Sequence, residues 1–359
     1  MGREIYTTND QLGGPMIMFP NGVSHQLAET HYDSVIKALE WLSFVPAVKG
    51  GALPLRDLDG VDPVDRVVQF APQKGLTYDP RLLFNGVNLG GNNWQSGFFD
   101  RNSFVEALSG WAKTVVVGRG RLGGIPLGVI VTENRTAEAT KPADPADLTS
   151  QEKLVQQAGG VWFPDSAYKT AQALRDFNRE GLPCIIFANW RGFSGGQRDM
   201  FDEVLKFGSM IVDALVAYQQ PLFVYIPPFA ELRGGAWVVV DSTINSDVME
   251  FYAAEDARGG VLEAAGAASI KFRDQDIIAT SHRIDHVLVA LDAELAAARA
   301  AGDKELESKV YKQVSHRESM LFGVYQQVKI EHQNFWLFLL ASWSQSHPSV
   351  TSHDNFFIR

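Results

Sequence analysis

Two turns in the sequence place an arginine close to a pair of glycines, directly before a predicted helix. Glycine has no Cβ, so another group can come within hydrogen-bonding distance of its peptide N–H. Such donors stabilise negative charge that develops on a thioester or urea oxygen, and an arginine adds a planar fork that suits a carboxylate. Paired glycines also occur in ordinary tight turns. The residues are Arg191, Gly195 and Gly196 in NWRGFSGGQRD, and Arg233, Gly234 and Gly235 in ELRGGAW.

The first of these turns also fits the pattern G-x-S-x-G, which marks the nucleophile elbow of α/β-hydrolases. Ser194 would then be the nucleophile, and Asp241 and His282 follow it in the required order. However, His282 lies in ATSHRIDHV, which is typical of the start of a helix. A serine hydrolase is therefore an alternative that the pattern leaves open.

The elements around these turns predict an α/β protein. Residues 111–133 contain two β-branched runs that flank a glycine-rich turn, which predicts two paired strands. From Pro183 and again from Pro221, an apolar strand leads into a glycine turn and then a helical pattern. Good helix formers from about 286 to 330 predict a helical hairpin.

Composition excludes several classes of function. The 359 residues carry a net charge of −10 without a basic, aromatic-rich run, which argues against a nucleic-acid partner. The amino-terminal residues lack the pattern of a secretory signal, and no apolar run is long enough to span a membrane. The eight histidines have no metal-ligand spacing and Cys184 is the only cysteine, so we expect no metal site.

Longer motifs are more specific than the glycine turns. They are GREIYTTNDQLGGPMIMFPNGVSH, RLGGIPLGVI, VWFPDSAYKTAQAL, NWRGFSGGQRDMF, ELRGGAWVVVD and SIKFRDQD. Together they closely resemble the carboxyltransferase domain of eukaryotic multidomain acetyl-CoA carboxylase, over roughly residues 2–330. The resemblance implies a crotonase-like (ClpP/crotonase) α/β fold, a spiral of strand-strand-helix repeats with an added helical hairpin.

The resemblance implies a reaction that moves a carboxyl group from carboxybiotin to acetyl-CoA, giving malonyl-CoA for fatty acid synthesis. Arg191 would recognise a carboxylate, and the amides of Gly234 and Gly235 would hold negative charge, without a nucleophile in GFSGG. Propionyl-CoA or another acyl-CoA is the alternative substrate. The residues that the resemblance assigns to the biotin side of the site or to an inhibitor pocket, some of which could equally be core, are Trp162, Phe193, Gly195, Gly196, Val204, Ile211, Val238 and Glu263.

The resemblance also implies an organisation of domains. Residues 1–58 would end the amino-terminal carboxyltransferase subdomain and residues 59–359 would form the carboxyl-terminal one, with the hairpin at about 286–330 and an atypical tail at 331–359. Most of the first subdomain is missing, so we expect this fragment alone to be inactive. The expected partners are a biotin carboxyl carrier domain, the missing subdomain and a second copy in a homodimer. The expected compartment is the cytosol or the plastid.

Overall fold

A six-stranded sheet is the centre of the larger part of the chain. The computed structural model describes residues 5–56, 62, 65–90, 93–260 and 273–332. These fall into two compact units, one within residues 1–261 and one within residues 262–357. The predicted boundary near residue 58 lies outside the described residues, as does the tail from residue 333, so both stay predictions.

The strands of the central sheet lie side by side in the same order as they occur in the chain. The first three strands pair antiparallel, and the third strand and the three that follow it pair parallel. The predicted strand-turn-strand is confirmed, with Val117 opposite Ile130 across a turn at Gly123 and Gly124. The strands are β3 (Val105–Ala107), β4 (Val115–Leu122), β5 (Ile125–Thr132), β8 (Cys184–Phe187), β9 (Leu222–Ile226) and β11 (Met249–Ala253).

Each face of this sheet has its own apolar cluster, because side chains alternate along a strand. Val115 and Val117 join the cluster that includes Leu174 and Leu215, whereas Val116 joins an aromatic cluster with Phe84 and other rings. The helices of the unit are α1 (Asp10–Gly13), α2 (Pro15–Met18), α3 (His31–Leu42), α4 (Arg81–Asn85), α5 (Pro164–Glu180), α6 (Gln197–Phe201), α7 (Val204–Val216) and α8 (Gly235–Val240), with a 3-10 turn at Ser242–Asn245.

Lys169 is a fully buried cation in α5. Its Nζ donates to the carbonyl oxygens of Leu108 at 2.9 Å, Trp111 at 2.8 Å and Ala112 at 3.4 Å. Burial lowers the pKa of Lys169 to about 7. The side chain therefore ties α5 to the turn that precedes β4.

The helical pattern after β8 is interrupted. Glu203 has a φ of +67°, which divides the pattern into α6 and α7. As a result Val204 and Ile211 are buried, whereas Phe201 and Leu205 are exposed. One continuous apolar face would have buried all four.

Three small sheets complete this unit. Residues 137–141 form a strand that pairs antiparallel with residues 153–157. The strands are β1 (Val87–Asn88) with β2 (Trp94–Gln95), β6 (Ala137–Lys141) with β7 (Lys153–Gln157), and β10 (Glu231–Arg233) with β12 (Arg258–Gly260).

The second unit is helical. The predicted hairpin is confirmed by helices His286–Ala301 and Lys304–His332, between which Gly302 has a φ of +69°. A further helix, Asp274–Ile284, precedes them. His282 lies among the three helices, with Nδ1 2.6 Å from Asp292 Oδ2 and Nε2 2.7 Å from Glu318 Oε1.

Candidate active site

Arg191 lies in the loop that follows β8, and the loop holds both its backbone and its side chain. The backbone N–H donates to the carbonyl of Gly160 at 2.8 Å. The side-chain Nη2 donates to the carbonyl of Gly159, also at 2.8 Å. Nε lies 3.9 Å from Glu231 Oε1. About 47% of the side chain remains exposed, so the guanidinium keeps donors that can reach a ligand.

Arg191 forms part of the wall of an open cleft of about 240 Å³. The cleft combines backbone groups, amide side chains, one arginine and two aromatic rings, a mixture that suits a small polar ligand. Five segments of the chain supply its walls. The lining residues are Pro72, Gln73, Gly75, Leu76, Thr77, Tyr78, Asn134, Gly159, Gly160, Asn189, Arg191, Pro228, Phe229, Ala230 and Glu231.

Hydrogen bonds fix the polar walls of this cleft. The Asn189 N–H donates to Thr132 Oγ1 at 3.1 Å, and its side-chain oxygen accepts from the Glu231 N–H at 3.0 Å. On another wall, Asn134 accepts from the Tyr78 N–H at 3.2 Å. Each asparagine therefore joins two segments.

The hydroxyl of Tyr78 stays protonated at neutral pH. Burial raises its pKa well above the ordinary range, and the nearby Tyr225 and Glu133 raise it further. The phenol can therefore act as a hydrogen-bond donor but not as a base.

A set of ion pairs supports the wall that contains Asn134. Arg135 Nη2 lies 2.8 Å from Glu133 and 3.2 Å from Asp79, and Arg81 Nε lies 2.6 Å from Glu106. Burial alone would lower the pKa of Arg81, but the carboxylates of Glu106 and Asp79 raise it, so Arg81 stays charged. Each of the two arginines is thus paired with a carboxylate.

The two diglycine turns begin helices, as the sequence predicts, but they do not line the cleft. Gly196 precedes α6 and Gly234 precedes α8. The N–H of Gly234 donates to the carbonyl of Gly260 at 3.2 Å, so this amide is already used within the fold. Gly235 is the first residue of α8, a position where helices leave N–H groups without an intrahelical partner. The expectation of two bare amides is therefore wrong for Gly234.

The residues predicted for an inhibitor pocket fall into two groups. Trp162, Val204 and Ile211 are fully buried, as core residues are. Trp162 stacks on Trp190 with ring centroids 4.1 Å apart. Val238 is exposed, and its exposed fraction is 54%. Glu263 lies outside the described residues.

Phe193 links several of these positions. Its ring lies 5.1 Å from Trp162, and a Cβ added to Gly235 would come within 3.3 Å of it. A Cβ on Gly208 would approach the same ring to 2.8 Å. The structure thus brings Phe193, Trp162 and Gly235 together beside Arg191, with the exposed Gly195 and Gly196 in the same loop.

The three residues of the hydrolase alternative have other partners. Ser194 donates its hydroxyl to Asp199. Asp241 accepts from the N–H and hydroxyl of Thr243 at 2.9 and 2.6 Å, and both ring nitrogens of His282 are bound to carboxylates. A nucleophilic serine needs a histidine that accepts its proton, and Ser194 instead donates its hydroxyl to Asp199. This arrangement therefore does not activate Ser194.

Comparison with known families shows to which family the chain belongs. The sequence matches the model of the carboxyl transferase domain over residues 1–334. The chain belongs to this family. Carboxyl transferase domains with similar sequences include that of the acetyl-CoA carboxylase of Dictyostelium discoideum, 51% identical over 337 residues. The mitochondrial acetyl-CoA carboxylase of Saccharomyces cerevisiae is 51% identical over 332 residues. Each alignment covers 92% of the chain but only 15% and 14% of the relative, respectively.

Solved structures of carboxyl transferases have the same fold at lower identity. Transcarboxylase 12S superposes with a TM-score of 0.54 at 18% identity, over 74% of this chain and 46% of that one. A single-chain, multi-domain long-chain acyl-CoA carboxylase superposes with a TM-score of 0.53 at 18% identity, over 74% and 23%. The chain therefore has the crotonase-like α/β fold, as the motifs imply.

The described residues contain neither a membrane-spanning helix nor a cluster of metal ligands. No helix among them is long and apolar enough to cross a membrane. Likewise, no group of three or more His, Cys, Asp or Glu side chains within the described ranges is placed to hold a metal ion.

Sequence reasoning missed most of the cleft. Gly159 and Gly160, which hold Arg191, are a further diglycine pair whose position after β7 could have indicated a turn. Asn134, Asn189 and Phe229 follow β5, β8 and β9 closely in the sequence. In parallel sheets the carboxyl ends of strands meet at one edge, and this rule could have grouped them.

Proposed function

We propose that this chain is the carboxyl-terminal part of the carboxyltransferase of a biotin-dependent acetyl-CoA carboxylase. The observation that carries the proposal is Arg191, held by Gly159 and Gly160 at the wall of a polar cleft. Named relatives about half identical to the chain support the choice of reaction. The reaction gives malonyl-CoA from acetyl-CoA, and the carboxyl donor is biotin on a carrier domain.

The residues of the cleft fit the carboxylated head of biotin. The exposed donors of Arg191 suit the carboxylate, because a guanidinium offers parallel N–H groups. Side chains of Asn134 and Asn189 both line the cleft and suit the polar edge of a urea. A cleft of about 240 Å³ admits a small bicyclic group but not an entire CoA molecule.

The chain's own residues bind and orient rather than exchange protons. Tyr78 stays protonated because burial raises its pKa, and Glu231 lies 3.9 Å from Arg191 and 3.6 Å from Arg233. When bound, biotin supplies both the carboxyl group and the nitrogen that accepts the proton of the methyl group. Gly235, at the start of α8, would hold part of the developing negative charge.

The remaining assignments follow from the same proposal. Phe193, Trp162, Val204, Ile211 and Val238 would shape the biotin side and the inhibitor pocket, with Gly195, Gly196 and Glu263 beside them. The partners are a biotin carboxyl carrier domain, the first carboxyltransferase subdomain and a second copy. The substrate is acetyl-CoA, with propionyl-CoA as the alternative. The proposed compartment is the cytosol, the plastid or the mitochondrion, the last because the name of one relative specifies it.

Malonyl-CoA formation by the full-length protein that contains this chain tests the proposal. Radiolabelled bicarbonate, ATP and acetyl-CoA should give labelled malonyl-CoA, and propionyl-CoA should react more slowly. Arg191→Ala should lower kcat/KM by about 100-fold, because the loss of a charged hydrogen-bonding group raises the free energy of the transition state by about 3 kcal/mol. Undiminished turnover in this variant would contradict the role of Arg191, and no product from the natural protein would contradict the function.

A further inference from the structure

The β-turn between β9 and β10 lines the cleft and holds a phenylalanine in an unfavourable backbone conformation. The Ala230 N–H donates to the carbonyl of Pro227 at 3.1 Å, so Pro228 and Phe229 are the central residues. Proline fixes its own φ near −65°, and Phe229 has a φ of +59°. This combination is that of a type II turn, in which the third position normally belongs to glycine.

The turn itself does not require the phenyl ring. A glycine at position 229 would adopt the same φ without the clash that Cβ causes in left-handed backbone. The exposed fraction of Phe229 is 42%, so a large part of the residue stays open to solvent. The positive φ of Phe229 therefore has a cost in backbone strain that a glycine would avoid, and strained residues of this kind cluster at ligand sites.

The neighbouring strands clamp this turn from both sides. The carbonyl of Ala230 accepts from the Arg258 N–H at 2.9 Å, and the Glu231 N–H donates to Asn189 at 3.0 Å. Because β12 and the loop after β8 hold the backbone on both sides, the direction in which the Phe229 side chain leaves the backbone is held too. Phe229 and Arg191 both line the cleft.

An aromatic wall next to a guanidinium suits a flat group that carries a carboxylate. The face of a urea is weakly hydrated and can lie on an aromatic ring, while its edge keeps its hydrogen bonds. Asn134 and Asn189 offer such bonds from the other walls. The adenine of CoA is a second flat group, but it does not carry a carboxylate.

We propose that Phe229 determines the specificity of the cleft for its carboxyl donor, by stacking on the ureido ring of biotin while Arg191 binds the attached carboxylate. This rests on the proposed function. Phe229 neither accepts nor donates a proton. Its backbone strain is retained because the ring contributes to biotin binding.

Transfer from malonyl-CoA to free biotin measures this contribution in the full-length protein. In this direction the bond between the malonyl carbon and the carboxyl group breaks, a bond from the carboxyl carbon to biotin nitrogen forms, and the proton of that nitrogen passes to the acetyl methyl carbon. The KM for biotin and the KM for malonyl-CoA are measured separately. Thermal unfolding of each variant is followed alongside.

Phe229→Gly should raise the KM for biotin at least 5-fold, with less than a 2-fold change in the KM for malonyl-CoA, while the unfolding temperature rises. Phe229→Asn, which tolerates the same φ, should show the same kinetic change, and Phe229→Tyr should keep the natural KM. Asn102→Gly is the matched control, because Asn102 has a φ of +57° in a turn outside the cleft. It should leave both KM values unchanged.

The outcomes separate the inference from the function on which it rests. If the natural protein transfers carboxyl groups and Phe229→Gly leaves the KM for biotin unchanged, the role of Phe229 is overturned and the function stands. If the KM for malonyl-CoA rises instead, the ring contacts the CoA substrate and the inference is overturned as well. If the natural protein transfers no carboxyl group to biotin, both are overturned.

Discussion

The guanidinium of Arg191 is bound to the carbonyl of Gly159, with a distance of 2.8 Å from Nη2 to the oxygen. The neighbouring Gly160 carbonyl accepts from the Arg191 N–H at the same distance. One diglycine pair therefore fixes both the backbone and the side chain of the proposed carboxylate-binding residue. A side chain ordered before the substrate arrives loses less conformational entropy on binding.

Substitution of Gly160 should therefore change substrate binding. Gly160 has a φ of +71°, and an added Cβ would lie 3.3 Å from the Asn189 carbonyl and 3.5 Å from Arg191 Nε. Gly160→Ala should lower the free energy of unfolding by about 1–2 kcal/mol and raise the KM for the carboxyl donor. Gly181→Ala is the control, because Gly181 has the same φ of +71° and no described atom within 4 Å of an added Cβ. Equal effects of both on KM would contradict the link to Arg191.

Arg191→Lys tests whether geometry or charge alone is required. A lysine keeps the charge but loses the planar fork, so we expect a decrease in kcat/KM of roughly 10-fold or more. Arg198→Lys, in the helix α6 that follows this loop, should have no effect, because Arg198 is exposed and pairs with Asp202. Steady-state kinetics of malonyl-CoA formation measure both variants. Full activity of Arg191→Lys would show that a positive charge is sufficient.

Ser194→Ala should retain carboxyl transfer within about 3-fold, since the loss of one partly exposed hydrogen bond is small. The Ser194 hydroxyl donates to Asp199 and has no histidine as a base. A fluorophosphonate probe should not label the natural protein at this serine. Labelling that disappears in the variant would revive the serine hydrolase.

Lys169→Met should destabilise the fold by about 3 kcal/mol, because three interior carbonyl groups lose their hydrogen-bond donor. Lys153→Met, at an exposed position of β7, should change stability by less than about 0.5 kcal/mol. Denaturant unfolding compares the two. A loss for Lys169→Met no larger than for the control would show that these hydrogen bonds contribute little.

His282 should make the helical unit more stable in acid than in base. Partial burial lowers its pKa, but the hydrogen bonds to Asp292 and Glu318 outweigh this and raise the pKa above 6.5. The charged histidine therefore stabilises the folded state fully below pH 6.5, and this contribution is lost as the pH rises through the raised pKa. The ion pair of Arg317 with Asp285, 2.9 Å apart, is the neighbouring charge.

His282→Gln removes this charge while it keeps a polar side chain. The difference in free energy of unfolding between the natural protein and the variant should be largest near pH 6 and should shrink towards pH 8.5. His316→Gln, at an exposed position of the third helix, should show no such trend. A pH-independent difference for His282→Gln would mean that the charge is not involved.

Four of the six strands of the central sheet were predictable from sequence, because β4, β5, β8 and β9 lie in segments rich in apolar and β-branched residues. The segment 111–133 gave the paired strands β4 and β5 directly, and the turns after β8 and β9 were recognisable by their glycines. The division between α6 and α7 was not predictable. It depends on Glu203 adopting a φ of +67°, and neither periodicity nor helix propensity disfavours a glutamate within a helix.

The site was predictable only where a motif carried it. Arg191 could be named because NWRGFSGG is specific, whereas the left-handed backbone of Phe229 is a conformation that its residue type does not reveal. The hydrogen bond from Gly234 to Gly260 joins residues distant in the sequence. Long-range pairing of this kind is set by the tertiary fold, so a local pattern could not exclude Gly234 as a free donor.

The order of the central strands has a consequence for biosynthesis. From β3 to β11, each strand lies beside the one made just before it in the main sheet, so none has to be inserted between two strands already paired. The β4–β5 hairpin can form first, since its strands are joined by a two-residue turn. Every later strand then finds a vacant edge while the ribosome is still extending the polypeptide, and the unit can assemble vectorially, from its amino-terminal edge outward.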